Sequence, residues 1–360
     1  MVKAAVCRAF GEPLRIEDIL LADPGPGEVR AKVSACAICH SDIHYAEGAW
    51  GGTLPAVYGH EAAGLVEAVG PGVSNVAPGD HVVITLVRAC GRCPCCTQGF
   101  YGSCETSFPL DAASPLSSSD GKSLVHGLRT GAFAEEVVVE ASQVVAIPKD
   151  MPLDSAALLA CGVITGLGAV INTAQVRAGA SVVVVGTGGV GLNAVQGAQL
   201  AGAGRIIAID LADEKLAAAE AFGATDGVNP GRQDAAEAVK ALTGGRGADY
   251  VFVTVGAKAA VNGAYDMLAP GGAAVLVGMP AVGELSEFEI ITLANDSKRI
   301  LGSKMGSSNI HVDIPQLVQL YQQDRLKLDE LITARFPLSE INEAIASVKQ
   351  GAALRNVIVF

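Results

Sequence analysis

The run Ser181-Val182-Val183-Val184-Val185-Gly186-Thr187-Gly188-Gly189-Val190-Gly191 constrains this chain more than any other segment. A valine-rich strand runs into a glycine cluster of the form GxGxxG, and an apolar helix opens near Leu192. Each glycine answers a separate need: a tight turn, close backbone approach to a pyrophosphate, and close packing of helix on strand. The helix N-terminus adds amide donors and a partial positive charge for phosphate. Asp210 lies 24 residues after Gly186, at the end of the next strand, where a carboxylate accepts hydrogen bonds from both ribose hydroxyls. A glycine cluster alone is more often just a turn. With the strand before it, the helix after it and the acid beyond, this one reads as a Rossmann dinucleotide site. The same carboxylate repels a 2′-phosphate, which favours NAD; Lys215 works against that preference and leaves NADP as the alternative.

The surrounding pattern agrees. Continuous apolar runs at 181–185, 250–255 and 274–277 alternate with Ala-rich helical spacing, the signature of a parallel, doubly wound sheet. From residue 1 to about 150 the texture differs: short apolar alternations at 27–33, 64–70 and 135–139, broken by Gly/Pro turns, indicate an antiparallel β region. Residues 111–127 are Ser-rich, polar and without period, and are expected to form a surface loop. A helical stretch around 314–321 and a final strand at 356–360 follow the sheet. A chain of 360 residues exceeds one typical core, so two domains are expected.

Charge and composition narrow the function classes. The balance of 25 basic against 37 acidic residues gives a net charge of −12, with no Lys/Arg-rich run, which argues against nucleic acid or an anionic membrane as partner. No apolar stretch reaches 18 residues uninterrupted, so no ordinary transmembrane helix is expected. The N-terminus has no secretory h-region, and nine cysteines in a long chain without one mark metal or redox chemistry in the cytoplasm rather than disulfides.

Four of those cysteines have the spacing Cys90-x2-Cys93-x2-Cys96-x7-Cys104. Four thiolates fill the tetrahedral shell of zinc and leave no open position, so such a site is structural. Cys95 could replace Cys96 in the register, and four thiolates also suit an iron–sulfur cluster. A nucleic-acid-binding zinc ribbon is disfavoured by the acidic chain. A second set is scattered: Cys39-His40-Ser41-Asp42, His60-Glu61 and Cys161-Gly162. Two thiolates and one imidazole leave a fourth position for water or substrate, which a catalytic zinc requires. Taken singly, His60 reads as a satisfied structural histidine and Cys161 as a small buried hydrophobe. Their weight comes from occurring together with the dinucleotide motif.

Jointly, these motifs resemble the zinc-dependent medium-chain alcohol dehydrogenases over nearly the whole chain, most closely the liver-type and class III-like branch. The resemblance implies an α/β chain with a mainly β, GroES-like catalytic domain over 1–162, to which 304–360 return, and a Rossmann NAD-binding domain over 163–303. It implies two zinc ions per subunit and NAD(H), with Cys39, His60 and Cys161 on the catalytic ion and Cys90, Cys93, Cys96 and Cys104 on the structural one. Cys2His is the ligand set by which alcohol dehydrogenases are known, so it rests on the resemblance and not on spacing. Cys36 mimics a CxxC partner of Cys39 but does not match a ligand position. Glu61 matches a residue behind the zinc, and Asp42 the group that holds His60 in its tautomer. Ser41 and His44 match the two ends of a proton relay from the alcohol. Beside Gly186, Gly188, Gly189, Val190, Gly191 and Asp210, the resemblance places His40, Thr165, Lys215, Val277 and Arg355 at the cofactor.

Trp50, Leu86, Phe133 and Met279 match positions that line the substrate pocket, where a bulky Trp50 would narrow the inner slot toward primary alcohols or aldehydes. Glutathione-dependent formaldehyde oxidation comes second, because residues 105–121 contain no arginine to hold the glutathione carboxylate. A polyol dehydrogenase, a nicotinoprotein with tightly bound NAD and a non-catalytic dinucleotide-binding protein are the other readings; the last would be expected to have lost zinc ligands. The long insertion at 111–127 favours a homodimer over a tetramer.

Overall fold

In the computed structural model, which describes every residue from Met1 to Phe360 except Ala352, the strand-forming alternations build two sheets in a first unit, Met1–Gly162 with Asn309–Phe360. One sheet has the strand order Leu116–Ser118, Arg15–Leu21, Val2–Cys7, Ala56–Val57, Val125–His126. The other runs Val144–Ile147, His81–Ile84, Glu61–Val69, Glu28–Ala37, Arg355–Val359, Ile332–Pro337, with Glu136–Glu140 also paired to Glu28–Ala37. Val29, Ala31 and Val33 alternate into the core on that long central strand, where they meet Val66, Val82, Ile84, Val137 and Ile358. Burying such alternating faces contributes about 25 cal/mol per Å2 of apolar area.

Strand order decides what meets what. Glu28–Ala37 lies between Glu61–Val69, in register Ala37↔Glu61, and the C-terminal strand, in register Val357↔Ala37. His60, Cys39 and Arg355 therefore gather at one end of the sheet although they are far apart in sequence. Helix Leu153–Leu158 packs across Glu28–Ala37 and Glu61–Val69 and delivers Cys161 to the same end.

The second unit, Val163–Ser308, holds a six-stranded sheet in which every pairing is parallel. Its strands follow the order Asp226–Val228, Arg205–Ile209, Ser181–Val185, Ala248–Val253, Leu268–Leu276, Arg299–Gly302. Numbered within the unit this is 3-2-1-4-5-6, the order of a dinucleotide-binding doubly wound sheet, and its switch point falls beside the glycine loop.

Two expectations need correction. Residues 111–127 are not one irregular loop: Leu116–Ser118 and Val125–His126 are edge strands, because Leu116 and Leu124 are buried against Val2, Ala4 and Ile19. Residues 304–308 pack with the second unit, where Ser308 Oγ donates to Ile164 O and Thr165 Oγ1 lies 3.8 Å from Met305 Sδ. One helical run, Leu153–Thr173, is long and apolar enough to cross a membrane by length and composition, but most of it is buried inside the protein.

Candidate active site and metal centres

Ligand atoms of Cys39, His60, Glu61 and Cys161 all lie within 4.8 Å of one another, and all four residues are buried. Local structure explains each placement. Cys39 caps helix His40–Ala46, whose third residue, Asp42, turns back on it. The buried Asp42 carboxylate accepts from Cys39 N (3.1 Å), Gly59 N (2.9 Å) and His60 Nδ1 (2.9 Å). Because a carboxylate only accepts, the proton sits on Nδ1 and the Nε2 lone pair faces the sulfurs. Gly59 has φ +93°, and a Cβ there would come 2.5 Å from Phe133 N, so only glycine lets the chain turn into His60. Cys161 lies in a π-helical turn, Leu159–Val163, the kind of local widening often found at functional sites.

The donor set fits zinc on an observation of the fold itself. His60 Nε2 and Glu61 Oε1 are buried without a hydrogen-bond partner, which costs about 1–3 kcal/mol per group unless something else satisfies them. A hydrogen bond from the Cys161 thiol holds Cys39 well below the usual thiol range and Cys161 well above it. Burial opposes charge on His60, but the Asp42 carboxylate and the Cys39 sulfur together outweigh it and lift the imidazole well above its ordinary value. Burial also lifts the Glu61 carboxyl to about 7, against the pull of its ion-pair partner Arg355. Binding a metal here releases protons, since thiolate and neutral imidazole are the ligating forms. Cys36 stays outside the set: it is fully buried, its thiol points to Ala37 O at 3.8 Å, and burial keeps it protonated.

The sulfurs of Cys90, Cys93, Cys96 and Cys104 also lie within 4.8 Å of one another. Cys90 Sγ accepts from the amides of Arg92 (3.4 Å) and Cys93 (3.2 Å), and Cys104 Sγ from that of Cys90 (3.4 Å). The Thr106 hydroxyl and those amides bring Cys90 down to about 6, and the Glu105 and Cys96 amides lower Cys93. Cys95 turns away, its Sγ 3.4 Å from Glu105 Oε1, which leaves Cys96 in the set.

In the second unit the loop after Ser181–Val185 is built as its glycines suggest. Gly186 has φ +87°, and a Cβ at Gly191 would fall 1.8 Å from Gly186 O. A Cβ at Gly188, the cap of helix Gly189–Leu200, would meet nothing within 4 Å, so the face over the helix N-terminus has room for a pyrophosphate. Asp210 follows strand Arg205–Ile209 and accepts from Thr187 N (2.8 Å) and Ala212 N (3.1 Å).

The chain is similar to known proteins over its whole length. An alcohol dehydrogenase GroES-like domain matches residues 25–149 and a zinc-binding dehydrogenase domain residues 189–323. The NDMA-dependent alcohol dehydrogenase of Amycolatopsis methanolica is 38% identical over 99% of this chain and 98% of that protein. The alcohol dehydrogenase zinc-binding domain protein of Burkholderia ambifaria superposes with a TM-score of 0.96 at 37% identity, covering 100% of this chain and 98% of that one. The chain belongs to the zinc-dependent alcohol dehydrogenase family. Benzyl alcohol dehydrogenase of Acinetobacter calcoaceticus is a further structural relative, with a TM-score of 0.93 at 32% identity over 100% of this chain and 99% of that one.

Within this alcohol dehydrogenase, Ser41 and His44 stand one turn apart on helix His40–Ala46, and Ser41 Oγ lies 3.7 Å from Cys39 Sγ. His44 packs on Trp50 with ring centroids 4.9 Å apart, and Tyr45 meets the same indole edge-on at 5.4 Å. His40 is exposed on that helix. Leu86 is half-buried, whereas Phe133 is fully buried in the core beside Gly59. In the second unit Met279 is exposed, Thr165 and Val277 are buried, and Lys215 lies in the first turn of helix Asp213–Ala221. Arg355, matched to the cofactor by sequence, is buried against Glu61.

Sequence reasoning missed Arg88. Its fully buried guanidinium donates to Gln143 Oε1 (2.8 Å), Asp111 Oδ1 (2.8 Å) and Arg129 O (3.1 Å). The available signal was a charged residue set in the apolar run Val83-Ile84-Thr85-Leu86-Val87 just before the first lobe cysteine.

Proposed function

We propose that the protein is an NAD(H)-dependent zinc dehydrogenase that interconverts a primary alcohol and its aldehyde. The observation that carries this reading is the convergence of Cys39, Cys161 and the unpaired Nε2 of His60 on one buried point. Those three residues would hold the catalytic zinc, with Glu61 behind them, and the four lobe cysteines would hold the structural one. When bound, zinc polarises the substrate oxygen as a Lewis acid and NAD accepts the hydride. The chain's own residues do the rest. Asp42 fixes the His60 tautomer, Ser41 Oγ accepts the proton of the substrate hydroxyl as it passes its own proton on toward His44, and the partly exposed His44 at the far end of the relay releases a proton to solvent. Asp210 supports NAD as the cofactor, since its anchored carboxylate suits a free 2′-hydroxyl. Trp50, packed on His44, supports a narrow inner slot and hence primary alcohols.

A homodimer is part of this reading. Arg299–Gly302 ends the second unit's sheet as an edge strand, and Val282, Leu285, Ile290, Ile291 and Ile300 are exposed in the same unit. An open edge beside apolar side chains suits a second copy. The nine cysteines, none of them in a disulfide, suit the cytoplasm. One second reading has specific support: the NDMA-dependent relative favours a cofactor that stays bound while an added acceptor takes the electrons.

A panel of primary and secondary alcohols, run with NAD, NADP or NDMA before and after chelation, tests these assignments. Turnover with added NAD that is lost on chelation and favours primary alcohols is expected. Turnover with NDMA alone, and cofactor retained through gel filtration, would move the conclusion to the second reading. Chelator-resistant turnover would remove both.

A further inference from the structure

The residue between the first two glycines of the nucleotide loop is Thr187, and it is fully buried. Its amide donates to Asp210 Oδ2 at 2.8 Å, and its hydroxyl lies 3.2 Å from that same oxygen. The hydroxyl is also 3.2 Å from the carbonyl oxygen of Lys215, in the first turn of helix Asp213–Ala221. Asp210 Oδ1 accepts from Ala212 N at 3.1 Å. The carboxylate is thus held at both oxygens, and the single hydroxyl proton of Thr187 can go to Asp210 Oδ2 or to Lys215 O but not to both.

We propose that Thr187 is a positioning residue for cofactor choice: its hydroxyl, donating to Asp210 Oδ2, sets the plane of the carboxylate so that a ribose with a free 2′-hydroxyl is preferred to a 2′-phosphate. The proposal rests on the NAD reading above. A carboxylate has about four acceptor sites; Thr187 N and Oγ1 take both of those on Oδ2 and Ala212 N takes one on Oδ1, so Oδ1 keeps one lone pair for a ribose hydroxyl. Aiming that one lone pair needs the carboxylate plane fixed, whereas repelling a phosphate needs only its charge nearby. Loosening the carboxylate therefore harms recognition of a free 2′-hydroxyl more than it harms the response to a 2′-phosphate. Thr187→Val tests this cleanly, because valine fills the same buried volume and lacks only the hydroxyl.

Calorimetry on the zinc-loaded enzyme, with AMP and adenosine 2′,5′-bisphosphate as separate probes, reads the effect without turnover. Wild type is expected to bind AMP more tightly. Thr187→Val should weaken AMP by about five- to ten-fold, the scale of one net hydrogen bond, and leave the bisphosphate unchanged. Thr187→Ser, which restores the hydroxyl, should return AMP to within about twofold of wild type. Thr187→Ala gives the same comparison should the valine not pack. Equal weakening of both nucleotides, or of neither, would overturn the proposal alone, since a purely structural threonine gives one of those results. A wild-type preference for the bisphosphate would overturn the NAD reading and this proposal with it.

Discussion

The two cysteine centres share their sulfur chemistry and differ in how the chain makes them. In the lobe, four cysteines fall between positions 90 and 104, Cys96 buried and the other three partly exposed, and amides of the same short loop tune the sulfur of Cys90. The buried centre draws on positions 39, 60 and 161, and needs a strand register, a glycine turn and a π-helical turn to bring them together. A closed shell can be assembled locally, because the metal itself imposes the tetrahedron. A centre that must keep one position open cannot rely on the metal, so the whole sheet has to impose its geometry.

Removing one ligand from each centre should separate the two most sharply. Cys161→Ala is expected to lower kcat/KM by about 10³-fold or more, the loss of several kcal/mol of charge stabilisation, and to leave the melting midpoint near wild type. Cys104→Ser should do the reverse. It is expected to keep kcat per folded molecule within about twofold and to lose about 4 kcal/mol of stability when zinc stands at a thousand times its dissociation constant. Cys95→Ser, one position from the lobe ligand Cys96, should change neither. Equal losses of activity in Cys104→Ser and Cys161→Ala would erase the distinction.

Acid probes the edge strand Val125–His126. His126 Nε2 donates to Thr130 O at 2.8 Å, and burial pushes the imidazole from 6.5 down to about 4. A histidine kept neutral in the fold contributes stability that is present above 6.5 and is lost as pH falls to about 4, because the unfolded chain takes the proton first. We expect up to about 3 kcal/mol of acid-linked loss in that window, absent from His126→Gln; superimposable acid titrations of the two proteins would refute it. A smaller effect is expected at Asp42. Asp42→Asn should weaken zinc at the buried centre by about 10- to 100-fold and leave the lobe's affinity unchanged, as competition with a graded chelator would read.

Legibility in the sequence follows the same contrast. The nucleotide loop and the lobe could be read directly, because strand, glycines, helix and cysteine spacing are local patterns. The buried centre was legible only through its likeness to a family, since nothing near His60 points to Cys161. The pairing of Arg355 with Glu61 was hidden because it depends on which strands become neighbours. Leu116–Ser118 escaped notice because serines surround its one buried leucine.

Metal content per chain, measured by elemental analysis on purified wild type and His60→Ala, bears most directly on the claim that three distant side chains hold one ion. We expect two zinc ions per chain in the wild type and one in His60→Ala, with the survivor lost only when a lobe cysteine is also replaced. A single ion in the wild type, or two ions retained without His60, would contradict it.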